Sequence, residues 1–116
     1  WTILGLSALP TDHPLNVGMV GMHGNYGPNL LTNECDVLIA LGMRFDDRVT
    51  GSLATYAKQA KVIHFEIDPA EIDKNVKTEV AVLADVKEAL TALIPLIDKK
   101  SHDSWHNEFK EKYKIE

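Results

Sequence analysis

An unbroken apolar run constrains the fold of this chain more than any other feature of its sequence. Five apolar residues occupy positions 37–41, between Asp36 and Gly42. A strand with one face in water alternates apolar and polar residues, whereas a continuous run closed by glycine is typical of a parallel strand that is buried on both faces. We therefore predict a central, doubly covered strand at 36–42 in an α/β fold.

Further strands and helices alternate along the chain. Apolar and β-branched runs predict strands at 61–67 and 80–84, and the tail of a fourth strand at 1–4. Helices are predicted at 28–34, at 52–58, from a cap at Asp85 through Ile94, and on an aromatic stripe of Trp105, Phe109 and Tyr113. This alternation predicts a Rossmann-like, doubly wound, mostly parallel sheet, in which ligands bind outside the carboxyl ends of the strands.

Composition excludes several classes of protein. The chain has 116 residues, enough for one modest domain, and 17 acidic against 12 basic residues, a net charge of −5 that disfavours nucleic-acid binding. No run approaches the roughly 20 apolar residues that span a bilayer. Cys35 is the single cysteine, so no internal disulfide forms, and we expect a cytoplasmic location. Because the chain opens with Trp1 and no signal-type segment, we interpret it as part of a longer protein.

The sequence contains no evident set of catalytic or metal-binding residues. Cys35 has no activating neighbours, and His64 lies within a predicted strand, where we interpret it as structural. His102 and His106 are four residues apart, but no third ligand accompanies them, so no metal site is predicted.

Charged residues are unusually dense where the first predicted strand ends. Residues 44–48, Arg-Phe-Asp-Asp-Arg, place two guanidinium groups and two carboxylates beside Gly42. Arginine offers a planar fork of donors that matches phosphate oxygens, aspartate accepts hydrogen bonds from sugar hydroxyls, and glycine lets a ligand approach the main chain. The position favours a phosphate-bearing ligand, and an ion-pair network that stiffens the loop is the alternative.

Other residues near the strand ends have two interpretations each. Glu66 ends the second strand, as acids that bind nucleotide sugars do, whereas Asp85 precedes a helix, where a cap is the simpler interpretation. Glycines recur every three residues around Met22-His23 but match no standard phosphate-binding motif; they are Gly18, Gly21, Gly24 and Gly27. Their amides either face a phosphate or a planar ring, or belong to a sharp turn packed on the sheet.

Three segments together resemble one enzyme family. They are GMHG at 21–24, LGMRFDDRVTG at 41–51 and IDPAEI at 67–72. On these segments the chain resembles the central domain of acetolactate synthase, also called acetohydroxyacid synthase, and RFDDRVTG is the most specific of them. The resemblance runs from Thr2 to about Ile97. It implies a partial central domain at 1–97, truncated at its N-terminal strand and helix, and a helical extension or linker to a missing catalytic domain at 98–116.

The resemblance implies the large, catalytic subunit of a thiamine-diphosphate-dependent transferase. The parent enzyme would condense two pyruvates, or pyruvate and 2-ketobutyrate, with release of carbon dioxide, in branched-chain amino-acid biosynthesis. FAD, retained without net redox turnover, would bind to this domain, while thiamine diphosphate and magnesium would bind to regions outside the chain. The parent would be a homodimer or tetramer with a small regulatory subunit, and the chain alone would be inactive.

The resemblance also assigns roles to individual residues. FAD contacts would fall at Thr2, Ile3, Val20, Gly21, Met22, His23, Gly42, Met43, Arg44, Phe45, Asp46, Glu66, Ile67, Asp85 and Val86. The substrate channel would be lined by Met22, Asp47 and Arg48. The sequence departs from the family at 25–28, where Asn-Tyr-Gly-Pro replaces the usual Ser/Thr-Ala-Tyr-Ala, and at Glu66, where Asp is frequent. The alternatives are another flavin-containing 2-ketoacid enzyme, such as glyoxylate carboligase or pyruvate oxidase, and a stand-alone nucleotide-binding or regulatory module.

Overall fold

A computed structural model describes residues 1–114, and its strands form one parallel sheet. The strands are β1 (Val37–Leu41), β2 (Lys61–Glu66) and β3 (Val80–Leu83). They are ordered β1-β2-β3, with Ala40 opposite His64 and His64 opposite Ala81. The predicted α/β, Rossmann-like fold is confirmed, because helical segments separate parallel strands.

Four α-helices accompany the sheet within the described residues. They are α1 (Tyr26–Thr32), α2 (Asp47–Thr50), α3 (Val86–Leu93) and α4 (Asp103–Tyr113), with 3-10 turns at Ile3–Gly5, Pro69–Glu71 and Ile94–Leu96. Asp85 caps α3 as predicted, since its Oδ2 accepts a hydrogen bond from the Glu88 amide at 3.2 Å. The predicted aromatic helix is also present, and the rings of Trp105 and Phe109 meet edge to face at 5.5 Å.

The prediction that the first strand is central and doubly covered is wrong. Among the described strands β1 lies at the edge of the sheet and β2 at its centre. Val37, Ile39 and Leu41 are 45%, 54% and 47% exposed, while Ala40 on the opposite face is buried. The reason is that α3 packs on β2 and leaves the same face of β1 open to solvent.

Two further predicted elements are also wrong. Residues 1–4 do not form a strand: the 3-10 turn begins at Ile3, and the Trp1 carbonyl accepts a single hydrogen bond from the Val20 amide at 2.9 Å. Residues 52–58 form turns rather than a helix. Ala57 has a left-handed φ of 43°, and its amide donates to Asn33 Oδ1 at 2.7 Å instead of to a helical carbonyl.

The main hydrophobic core lies on the β1 face that is turned away from solvent. Ala40, Phe45 and Val62 are its buried members, and partly buried residues that pack on them are Leu38, Met43, Tyr56 and Val76. Phe45 comes from the loop after β1 rather than from a strand. The loop that carries the charged residues is therefore anchored in the core through an aromatic ring.

Candidate functional site

The carboxyl ends of the strands meet at one edge of the sheet. The Gly42 amide, just after β1, donates to the Phe65 carbonyl at 2.8 Å. Gly42 has a left-handed φ of 69°, which glycine adopts without steric cost. A Cβ built on Gly42 would lie 3.7 Å from Cγ2 of Val86, at the start of α3. The predicted convergence of the strand exits at one edge is thus observed.

A cavity of about 180 Å³ lies at the exit of β1. Its walls come from the first residues of the chain, the glycine-containing segment and the loop after β1; the lining residues are Thr2, Ile3, Leu4, Met19, Val20, Gly21, Met22, His23, Gly42, Met43, Arg44, Asp46, Arg48 and Val49. Small-molecule sites typically enclose about 300–1,000 Å³. A ligand larger than this cavity would therefore extend beyond it.

The charge of the cavity differs in sign from that of the whole chain. Two cations, Arg44 and Arg48, and one anion, Asp46, line it, in a chain whose net charge is −5. Arg44 pairs with Asp46 at 3.2 Å, and its side chain is 65% exposed. Exposed ion pairs contribute about 0–1 kcal/mol. The ion pair of the alternative interpretation therefore forms, and Arg44 remains exposed beside it, so phosphate binding by this loop stays a prediction.

The glycine-containing segment forms a sharp turn whose amides are already engaged. The amides of Val20, Gly21 and Met22 donate to Trp1 O, Asn29 Oδ1 and Arg48 O at 2.9, 2.8 and 2.6 Å. These three amides are used within the chain, so the turn interpretation fits them. The segment presents instead the exposed side chains of Met22 and His23 to the cavity.

Glu66 is turned inward at the end of β2. It is 7% exposed, and its Oε1 accepts hydrogen bonds from the amides of Ile67 and Asp68 at 3.0 and 3.3 Å. Its Oε2 lies 3.7 Å from His64 Nε2. The carboxylate therefore stabilises the end of its own strand and does not line the cavity, and its contact with a sugar hydroxyl stays a prediction.

The other predicted contacts divide between the cavity and its surroundings. Ile67 and Asp85 are exposed at the sheet edge outside the cavity, and Val86 adjoins Gly42. Met22 and Arg48, predicted for a substrate channel, are brought together by a main-chain hydrogen bond. Asp47 lines a separate hollow with Thr50 and Asn75.

Two side chains that the sequence did not assign to the site hold the inner side of the loop after β1. His64 Nε2 lies 2.6 Å from the Met43 carbonyl, and Asn75 Nδ2 donates to the Phe45 carbonyl at 3.1 Å. The sequence signal for this contact was a histidine inside an otherwise apolar strand, because a buried polar group requires a hydrogen-bond partner.

Tyr56 packs against the buried ring of the same loop. It meets Phe45 edge to face at 6.2 Å, and burial, assisted by the charge of Cys35, raises the pKa of Tyr56 to about 12.

Within residues 1–114 no group of three His, Cys, Asp or Glu side chains is arranged to hold a metal ion. No helix in this part of the chain combines the length and the hydrophobicity required to cross a membrane.

Residues 1–93 match the protein family described as thiamine pyrophosphate enzyme, central domain. The chain belongs to this family. It is 49% identical over 108 residues to the probable acetolactate synthase large subunit of Methanocaldococcus jannaschii, covering 90% of this chain and 18% of that protein. It is 47% identical over 113 residues to acetolactate synthase 2, chloroplastic, of Zea mays, covering 92% and 18%.

A bacterial relative gives the same result. The chain is 45% identical over 105 residues to the acetolactate synthase isozyme 1 large subunit of Escherichia coli, covering 90% of this chain and 19% of the relative. The predicted resemblance to acetolactate synthase large subunits is confirmed. This central domain spans less than a fifth of the length of these relatives.

Proposed function

We propose that this central domain binds FAD within the large, catalytic subunit of an acetolactate synthase. The observation that carries the proposal is the cavity at the carboxyl edge of the sheet, which holds two arginines and one aspartate in an otherwise acidic chain. Carboxyl edges of parallel sheets are where nucleotides bind in α/β proteins. Arginine binds phosphate oxygens through paired donors, so the charge suits the diphosphate of FAD.

The residues present fit such a cofactor. Arg44 would hold the diphosphate, Arg48 would lie at the substrate channel, and the apolar wall that includes Ile3, Val20 and Met22 would contact the uncharged parts of FAD. Because FAD is larger than the cavity, it would continue past Gly42 toward Val86 at the neighbouring strand exit. When bound, FAD supplies a ring that accepts and returns electrons, while the residues of this domain bind and orient it.

The parent enzyme is proposed to condense two pyruvates, or pyruvate and 2-ketobutyrate, with release of carbon dioxide, in branched-chain amino-acid biosynthesis. The names of the relatives support this, and the word "large" in two of them supports a small-subunit partner. Thiamine diphosphate and magnesium would bind to other regions of a cytoplasmic homodimer or tetramer. Residues 1–97 would be the central domain and 98–116 a helical extension or a linker to a catalytic domain, and the chain would be inactive by itself.

The experiment is a titration of FAD into the chain, followed by quenching of flavin fluorescence. Arg44→Ala is expected to weaken FAD binding by about tenfold to a hundredfold, because a hydrogen bond to a charged group contributes about 1.5–3 kcal/mol. Lys61→Ala is the control, since it removes the same charge from an exposed position at the amino end of β2, opposite the sheet edge that carries the cavity.

The two variants give opposite outcomes if the proposal holds. Lys61→Ala is expected to change the affinity by less than about twofold, as a surface charge at the far end of the sheet is screened over about 10 Å at 0.1 M salt. Equal affinities for Arg44→Ala and the unmodified chain, or equal losses in both variants, would show that the cavity does not hold the diphosphate.

A further inference from the structure

The main chain on both sides of Arg44 is held by side chains from other parts of the fold. His64, from β2, lies with Nε2 2.6 Å from the carbonyl oxygen of Met43. Asn75, from the segment before β3, donates its Nδ2 proton to the carbonyl of Phe45 at 3.1 Å. A carbonyl oxygen only accepts hydrogen bonds, so His64 must carry a proton on Nε2. The peptide group before Arg44 and the peptide group after Phe45 are thus both fixed.

These two hydrogen bonds surround a strained residue. Phe45 has a φ of 55°, in the left-handed region that is unfavourable for a residue with a Cβ. Its ring is 2% exposed and meets the His64 ring edge to face at 5.0 Å. A conformation of this kind persists only where its surroundings over-determine it. Here the buried ring and the two held carbonyls do so.

The conformation sends neighbouring side chains in opposite directions. The ring of Phe45 enters the core, while the side chain of Arg44 is 65% exposed and lines the cavity. Release of either carbonyl would let Phe45 return to a right-handed or extended backbone. The direction of Arg44 would then change with it, because one peptide group joins the two residues.

In the described part of the chain, the buried imidazole of His64 makes one hydrogen bond, through Nε2. His64 is 0% exposed, and its Nδ1 has no hydrogen-bond partner among residues 1–114. Its other nitrogen faces the Met43 carbonyl and, at 3.7 Å, the Glu66 carboxylate. Both neighbours favour a donor at Nε2.

We propose that His64 and Asn75 form a clamp that positions Arg44 for the diphosphate of FAD. Neither residue lines the cavity, so both are positioning residues that act through Arg44. The proposal rests on FAD binding at this cavity and adds that the affinity depends on two residues behind its wall.

The experiment is a double-mutant cycle on FAD affinity, measured in the 116-residue chain. His64→Leu and Asn75→Ala are each expected to weaken FAD binding about tenfold when Arg44 is present, since each releases a carbonyl from a hydrogen bond. In an Arg44→Ala background the same changes are expected to cost less than about twofold. His64→Gln, which restores a donor near the position of Nε2, should recover most of the affinity.

The control distinguishes positioning from general destabilisation. Val62→Ala opens a cavity on the same buried face of β2, where Val62 is 3% exposed, and leaves both clamp hydrogen bonds intact. Val62→Ala is expected to lower the urea midpoint but to keep the FAD affinity. Additive losses in the cycle, or an equal loss of affinity in Val62→Ala, would overturn the clamp. If His64→Leu does not fold, Asn75→Ala, on an exposed residue, carries the same cycle.

A second measurement needs no ligand and so separates this proposal from FAD binding itself. Amide hydrogen exchange at Val49 and Thr50, whose amides both donate to the Asp46 carbonyl at 3.0 Å, is expected to rise at least about tenfold in both clamp variants, because release of Phe45 displaces Asp46, while the amides of β2 stay protected. Unchanged exchange would overturn the clamp even if FAD binds. A local rise in a chain that does not bind FAD would retain the clamp on the loop and reject the proposed ligand.

Discussion

Gly24 is the position where one added methyl group should most disturb the wall of the cavity. A Cβ built there would overlap the Met19 carbonyl oxygen and lie 2.8 Å from the carbonyl carbon of Val20. These are main-chain atoms, so they cannot rotate away as the end of a side chain can. The Gly24 amide also closes the turn by donating to the Gly21 carbonyl at 3.0 Å. Relief of the overlap must therefore displace the segment itself.

The expected loss in the free energy of unfolding follows from the kind of atoms that the new Cβ would overlap. Overpacking that side chains can partly absorb costs about 1–3 kcal/mol, so an overlap with main-chain atoms should reach at least about 3 kcal/mol. Gly51→Ala is the matched control, because nothing lies within 4 Å of a Cβ there and φ is 63°. Its cost is expected to be the backbone penalty alone, about 1–3 kcal/mol, because a φ of 63° combined with a ψ of −132° is a conformation that side chains with a Cβ disfavour.

The assay is urea unfolding followed by circular dichroism. With a denaturant dependence of about 1.5 kcal/mol per molar, Gly24→Ala should lower the midpoint by at least about 2 M and Gly51→Ala by about 1–2 M. FAD affinity should fall in Gly24→Ala and stay within about twofold in Gly51→Ala, because Gly51 does not line the cavity. A midpoint for Gly24→Ala equal to or above that of Gly51→Ala would refute the steric argument.

Two predictions follow from pKa shifts. Burial, and then the charge of Cys35, raise the pKa of Tyr56 to about 12, so the unfolded chain loses this proton first, near its ordinary pKa of about 10. Stability should fall as the pH rises from about 10 to about 12, and Tyr56→Phe should flatten this part of the profile of urea midpoint against pH. Burial and then the negative charge of Asp36 raise the pKa of the Cys35 thiol. Iodoacetamide should therefore react slowly with the folded chain at neutral pH and faster with the unfolded chain or with Asp36→Asn, and equal rates would contradict the shift.

The pattern of side chains along the sequence predicted the positions of the strands better than it predicted which elements pack against them. The apolar run before Gly42 identified β1, but an apolar run carries no information about whether another element covers each face. The structure leaves Ile39 on an open face for that reason. Local propensity likewise predicted a helix at 52–58, where a side-chain acceptor from Asn33 captures the Ala57 amide across 24 positions of sequence.

The sequence predicted where the candidate site lies, but it did not predict all of the contacts that its residues make. The rule that ligands bind at strand exits placed Arg44 and Arg48 at the cavity. It did not predict that Glu66 folds back onto the amides that follow it, since strand-end carboxylates can turn either way. His64 was interpreted as structural, and its contact with the Met43 carbonyl, 21 residues away, arises only in three dimensions.

The open face of β1 also bears on how this chain behaves in a test tube. Val37, Ile39 and Leu41 project from an edge strand whose outer main-chain groups have no neighbouring strand in the described part of the chain. Edges of this kind invite pairing between molecules, and exposed apolar side chains strengthen that tendency. Self-association should therefore grow with protein concentration, so binding measurements on the isolated chain belong in dilute samples.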